Sequence, residues 1–270
     1  MSFPSFLILY CAGVVTGTLG ALLGIGGGLF LVPFLVLAFN LPMHQAIATS
    51  IVAVIATSSA GATMNLERRT VNIRLGMVLE IASVIGAIAG GLTASQLSAS
   101  VLTKLFSVVL LIVAALMIRK LRRQGEQEHI FTDGVLAATF HDEATGATIA
   151  YSVRRVPALM AVSFVAGNLS GLLGVGGGFF KVPAMTIFGG VPMKAATATS
   201  NFMIGVTAAA SAFIYFSHGH LNPFIASIAV LGVLSGSFLG VKLNRRIHSS
   251  AIVWIFTAVL VAASIQLYLK

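Results

Sequence analysis

Apolar residues run along this chain in blocks, each closed by a polar stretch or a turn. The first block covers 6–23, and glycines at 24, 26, 27 and 28 separate it from the second. That second block is short, 29–39, and ends on Asn40-Leu41-Pro42. Blocks at 44–64, 75–93 and 101–117 complete the first half, separated by the basic stretch 65–74 and the uncharged turn 95–100. Most of these blocks are long enough for an α-helix to cross about 30 Å of hydrocarbon, whereas 29–39 reaches about half of that. The pattern predicts an all-α, polytopic membrane protein. The tracts flanking the glycines are expected to form a membrane helix that stops partway across and restarts.

The pattern then recurs. Residues 22–33 read LLGIGGGLFLVP and residues 172–183 read LLGVGGGFFKVP. Each residue has its counterpart 150 positions on: Gly24 with Gly174, Pro33 with Pro183, Pro42-Met43 with Pro192-Met193, and Ala48-Thr49-Ser50 with Ala198-Thr199-Ser200. Farther along, Asn72 matches Asn222, Gly86 matches Gly236 and Gly90 matches Gly240. Internal duplication of this kind marks transporter architecture. The expected organisation is an N-terminal repeat, 1–121, with five hydrophobic segments; a polar cytoplasmic connector, 122–155; and a C-terminal repeat, 156–270, with five more.

Composition makes the bilayer the solvent. The chain is 57% hydrophobic and 9% charged, against about a quarter charged in soluble domains. Its net charge is +9, but the bases cluster between apolar blocks, which is a topology signal and not a nucleic-acid surface. Stretches 65–74, 119–155 and 242–246 are basic and belong in the cytoplasm; turns 95–100 and 217–222 lack Lys and Arg and belong outside. Stretch 65–74 is thus inside while its counterpart near 215–224 is outside. The two halves are expected to run in opposite senses, with both termini outside. The opening MSFPSF lacks the basic start of a signal peptide, so the first block is expected to be retained. Cys11 is the single cysteine, which excludes an internal disulfide and a cysteine-rich metal centre. The connector carries Glu126, Glu128, Asp133, Asp142 and Glu143, with turn signals at Asp133-Gly134 and Thr145-Gly146, and reads as a polar linker with a small hairpin.

Candidate chemistry centres on the glycine clusters. A helix that starts at membrane depth presents unpartnered amides and about half a positive charge, which suits an anion. Such backbone is tolerated there only when buried in protein or lining a cavity. Gly26, Gly27, Gly28, Gly176, Gly177 and Gly178 are therefore candidate substrate-binding positions. Gly13/Gly17, Gly86/Gly90 and Gly236/Gly240 are small-xxx-small pairs expected to serve helix packing. Thr49, Ser50, Thr199, Ser200 and Asn201 follow each proline turn; they either donate to an oxyanion or bond back to their own helices. Asn201 replaces Ile51 of the first half, so the site is not symmetric. Lys181 replaces Leu31, and in an apolar segment it either attracts an anion or snorkels to the interface. Glu80 either pairs with nearby Arg74 or couples transport to protons. His44 and Lys194, equivalent positions after Pro-Met, are expected at the interface, with His44 a second coupling candidate.

These residues carry a resemblance. GLLGVGGGFFKVP with VPMKAATATSNF, and LLGIGGGLFLVP with LPMHQAIATS, resemble the TauE/SafE family of sulfite exporters and related anion permeases. The likeness covers both halves outside the connector. It implies movement of small sulfur-containing anions, such as sulfite, sulfonates or sulfoacetate, across a prokaryotic cell membrane. The expected function is secondary transport by alternating access, with an anion channel or a membrane-embedded enzyme as the rival readings. An enzyme would need more than the scattered histidines, of which His218 and His220 come nearest to a ligand pair. The reading calls on no cofactor, metal or nucleic acid; its partners are the anion and the lipid bilayer, with a homodimer left open.

Overall fold

The structure, a computed structural model, describes residues 3–23, 26–122, 134–142, 147–243 and 249–269. Gly24, Glu126, Glu128, Asp133, Glu143 and positions 244–248 lie outside the described residues. The first half holds α1 (Phe3–Leu23), α2 (Gly28–Ala38), α3 (Met43–Glu67), α4 (Ile73–Gln96) and α5 (Ala99–Arg122). The second holds α6 (Val156–Leu173), α7 (Gly178–Ile187), α8 (Met193–Ser217), α9 (Pro223–Leu243) and α10 (Ser249–Leu269). Seven helices among the described residues are long and apolar enough to cross a bilayer. Local chemistry sets their ends. Pro42 and Pro192 precede α3 and α8 at matching angles, φ −55° and ψ 141°. The Asn72 side chain accepts the Leu75 amide at 3.0 Å to cap α4.

Helix α1 packs along α9, and α4 packs along α6. Both pairs run parallel. A Cβ on Gly13 would meet Gly232, one on Gly17 would meet Val233, and ones on Gly236 and Gly240 would meet Val14 and Thr18. Likewise Gly86 faces Phe164, Gly90 faces Asn168, and Gly167 and Gly171 face Ser83 and Ala87. The small-residue pairs therefore bring main chains together, as expected of close helix packing. Helices α3 and α8 cross antiparallel, with Gly61 against Asn201 and Gly205 against Ser58. Exchanging each of α1–α5 for its counterpart five helices on reproduces the main packing pairs: α1·α9 becomes α6·α4, α4·α8 becomes α9·α3, and α3·α8 and α5·α10 map onto themselves. The closest pairs join one half to the other, so the halves interlock.

The connector does contain a hairpin. Strands β1 (Ala138–Asp142) and β2 (Ala147–Tyr151) pair antiparallel, with Ala138 opposite Tyr151. It is more than a linker. Phe140 and Tyr151 are buried and meet edge-on at 6.4 Å. They pack into one cluster with Leu79 of α4, Leu159 of α6, Val182 of α7 and Met203 of α8. Asn72 donates to the Leu136 carbonyl at 3.1 Å, tying the start of α4 to the chain leading into the hairpin.

A Cβ on Gly86 would collide first with the Phe164 carbonyl, and that carbonyl belongs to a packed helix. Gly86→Ala is expected to destabilise the purified protein by about 3 kcal/mol. Gly61→Ala, whose nearest neighbour would be the Asn201 amide at 3.5 Å, is expected to stay within about 1 kcal/mol of wild type. Thermal unfolding in detergent, followed by circular dichroism, measures both.

Candidate functional site

The two glycine clusters are turns, and they reverse the chain. Gly26 and Gly27 have φ of 80° and 73°, and Gly176 and Gly177 have φ of 81° and 69°. Side chains with a Cβ rarely adopt this region, so consecutive glycines are what permits the turn. A Cβ on Gly27 would lie 3.0 Å from the Thr16 carbonyl, and one on Gly177 would lie 2.6 Å from that of Ala166. Had α1 simply paused and resumed, Gly27 would lie about 16 Å beyond Thr16 along the axis. The expectation of a helix that restarts in the same direction is therefore corrected: α1 is a full span, and the chain doubles back into the half-length α2. The second copy does the same from α6 into α7.

Both turns are buried in protein, and they touch. A Cβ on Gly28 would collide with the Gly174 carbonyl oxygen. Helices α2 and α7 begin here without a side-chain cap. Gly27 accepts from the amides of Phe30 and Leu31, and Gly177 from those of Phe180 and Lys181, which closes each first turn on the glycine before it. The carbonyls freed by the turns are satisfied by α3. Ser50 donates to Gly174 at 2.8 Å, and Thr57 donates to Gly26 at 3.0 Å. Ser50 is thus engaged with a carbonyl and not with an oxyanion in this conformation.

The remaining hydroxyls of the seam divide. Thr199 accepts the Asn72 amide at 3.0 Å. Thr49 and Ser200 are 1% and 0% exposed, and their hydroxyls have no partner among the described residues. A buried hydroxyl without a partner costs roughly 1–3 kcal/mol. Asn201, 8% exposed, lies against Gly61 where α3 and α8 cross. A cavity of about 280 Å³ lies elsewhere, on the flank of α3 and α8, lined by Ala48, Val52, Phe213, Tyr215 and Phe216.

Lys181 does not snorkel: it is 1% exposed. Its ammonium donates to the Thr207 hydroxyl at 3.0 Å and lies 3.6 Å from Glu80 Oε2. Thr207 donates in turn to Glu80 Oε1 at 2.6 Å. Glu80 is therefore not the interfacial partner of Arg74, whose guanidinium reaches the Val135 carbonyl at 3.4 Å. Arg74 sits at the exposed start of α4, while Glu80 turns inward toward α7 and α8. Sequence reasoning singled out both charges but missed Thr207. Its counterpart Thr57 holds a turn carbonyl, and the 150-position offset that pairs the two threonines is the signal that could have found it.

At the start of α3, His44 donates from Nε2 to the carbonyls of Ala94 and Leu97, each at 3.1 Å. Its ring stacks on His220 at 4.8 Å, and His220 stacks on His218 at 6.1 Å. His44 thus sits away from the Lys181–Glu80 pair, closing the end of α4 against the α8–α9 turn. Lys194, its counterpart, is exposed. No group of three His, Cys, Asp or Glu side chains among the described residues is placed to hold a metal.

Comparison with known proteins decides the family. The model described as sulfite exporter TauE/SafE matches residues 9–267. The chain belongs to this family. It is 31% identical over 97% of both chains to the probable membrane transporter protein YunE of Bacillus subtilis. It is 22% identical to the probable membrane transporter protein YdhB of the same organism, over 88% of this chain and 89% of that one. A probable membrane transporter protein of Xylella fastidiosa is 26% identical, over 93% and 89%. No solved structure matches. This TauE/SafE member is a multi-pass membrane transporter, and the matched region includes both glycine turns, the α3–α8 seam and the hairpin.

Ser50→Ala removes the donor from the Gly174 carbonyl, and is expected to cost about 1–3 kcal/mol of stability, read by thermal unfolding. For His220, burial first, and then the adjacent His44 and His218 rings, hold the imidazole below its usual 6.5. The unfolded chain then binds the proton more readily than the folded one, so stability is flat well above pH 6.5 and falls as pH drops through it. His220→Gln is expected to shrink that fall; an unchanged pH–melting curve would count against the coupling of the three rings.

Proposed function

We propose that this protein is a secondary transporter of a small sulfur-containing anion, of the sulfite, sulfonate or sulfoacetate type, working by alternating access in the cell (inner) membrane. The reading has two inverted halves of five segments, both termini outside, and an anion site where the glycine turns meet the α3–α8 seam. The observation that carries it is the pair of buried hydroxyls, Thr49 on α3 and Ser200 on α8, that have no hydrogen-bond partner among the described residues. A buried polar group is ordinarily paired, and an oxyanion supplies the acceptor that these donors lack. Lys181, Asn201 and the first-turn amides from Gly26 to Gly28 and Gly176 to Gly178 are its further contacts. The parallel runs of α1 with α9 and α4 with α6, together with the antiparallel crossing of α3 on α8, support the inverted arrangement. The basic stretches support the orientation.

The packing favours particular moving bodies. Helices α1, α2, α3 and α9 pack among themselves, as do α6, α7, α8 and α4, and the principal contact between these groups is α3 on α8. Each body mixes segments from both halves. Rocking at the α3–α8 seam opens the site to one side and then the other.

Two substitutions test the site without disturbing the turns. Thr49→Val and Ser200→Ala delete hydroxyls that have no partner among the described residues, so melting temperature should be unchanged or raised. Loss of a hydrogen bond to a charged ligand is worth about 1.5–3 kcal/mol, so anion affinity should fall about tenfold or more. Counterflow of sulfite, sulfoacetate and methanesulfonate in proteoliposomes measures this. Wild-type counterflow from both variants would move the site away from the seam, and absence of saturable counterflow in wild type would favour a channel.

A further inference from the structure

The charged cluster of α4, α7 and α8 occurs at one of two counterpart crossings only, the other being that of α9, α2 and α3. Lys181, Glu80 and Thr207 correspond to Leu31, Val230 and Thr57. The equivalent crossing of α9, α2 and α3 has apolar Val230 and Leu31 in place of the two charges, so the fold itself does not require them. Glu80 and Lys181 each sit in an otherwise apolar helix, where an ionisable side chain is costly and pairs or performs a function. The pair is also incompletely made. Lys181 carries three donors, and among the described residues its one hydrogen bond goes to Thr207. Glu80 Oε2 is buried, accepts no hydrogen bond and faces the ammonium at 3.6 Å. Thr207 spans the gap, accepting from Lys181 and donating to Glu80 Oε1.

We propose that Glu80 is the resident counter-ion of Lys181, that the transported anion displaces it, and that Glu80 takes up one proton when displaced. This rests on the anion-transport reading. The free donors of Lys181 are a place for an anionic oxygen, and Lys181 lies in the first turn of α7, next to the second glycine turn. Once the anion neutralises the ammonium, the carboxylate has no opposite charge, and a buried carboxylate without one is neutralised by a proton. The charges balance at each stage. The empty site holds one ammonium and one carboxylate; the loaded site holds one ammonium, one anion and one carboxylic acid. A monovalent anion and a proton therefore cross together with no net charge. The helices packed on α4 bring no competing group among the described residues: α6 faces it with Ser163, Gly167 and Gly171, and α8 with Thr199, Phe202 and Thr207. Thr207 is a positioning residue, since it holds the carboxylate and the ammonium in register while both are charged.

Methanesulfonate is a suitable probe because it carries no titratable proton, so any proton that accompanies it is borne by the protein. Wild-type protein in liposomes containing a pH-sensitive dye should acidify the interior by one proton per methanesulfonate taken up. Clamping the membrane potential with potassium and valinomycin should leave the rate unchanged. Glu80→Gln, which mimics the protonated acid, should lose the acidification that accompanies each methanesulfonate taken up and at least tenfold of pH-gradient-driven accumulation. Thr207→Val retains both charges and should displace the pH profile of uptake. Counterflow without acidification in wild type, or uptake by Glu80→Gln that still acidifies at the wild-type ratio, overturns the inference and leaves anion transport standing. Absence of wild-type methanesulfonate counterflow overturns both. If Glu80→Gln does not fold, the wild-type proton ratio and the potential clamp decide the matter.

Discussion

A carbonyl or amide buried in hydrocarbon has no water to turn to, and a chain reversal at bilayer depth creates several such groups at once. Two reversals of this kind lie in contact at the centre of this protein. Much of the surrounding structure supplies their partners. Ser50 and Thr57 reach from α3 to the Gly174 and Gly26 carbonyls. The first of these bonds crosses from one half to the turn of the other, so neither half satisfies its own backbone alone. Glycine is needed both for the positive φ of the turn and for the contact of Gly28 with the Gly174 carbonyl.

The same need accounts for the interlocked helices. Lipid tails are as apolar as the helix surfaces, so association in the membrane depends on close van der Waals approach and polar contacts. The glycine ridges of α1, α4, α6 and α9 provide that approach, and they do so between halves. The most closely packed units of this fold are therefore not its sequence repeats. The connector follows the same logic at one end of the molecule. Its hairpin is held by Phe140 and Tyr151 against residues adjacent in sequence to Lys181 and Glu80, namely Val182 and Leu79, which places an anchored element close to the charged pair.

Duplication also explains how a membrane protein can carry a buried ion pair. Thr57 keeps the structural role of its position, holding a turn carbonyl, while its counterpart Thr207 bridges two charges. Ser50 caps the opposite turn, while Ser200 has no partner among the described residues. One copy retains these contacts to the turn carbonyls, and the other has diverged from them.

Much of this architecture was legible in the residues themselves. Solvation is a property of each side chain, so block lengths and the low charge content identified the spans and the bilayer. Spacing along one helix is local, so the small-residue pairs announced close packing, and the offset of 150 positions announced the duplication. Lys181 and Glu80 stood out because an ionisable group in an apolar run is costly wherever it points. The chain could not disclose that the two costs offset each other, because their meeting depends on how α4, α7 and α8 cross. Nor could it disclose the reversals: a run of glycines permits positive φ without requiring it, and whether the helix resumes or doubles back is decided by what packs against it. The burial of Phe140 and Tyr151 in a segment that reads as polar was likewise settled by the apolar surface that the folded helices left for them.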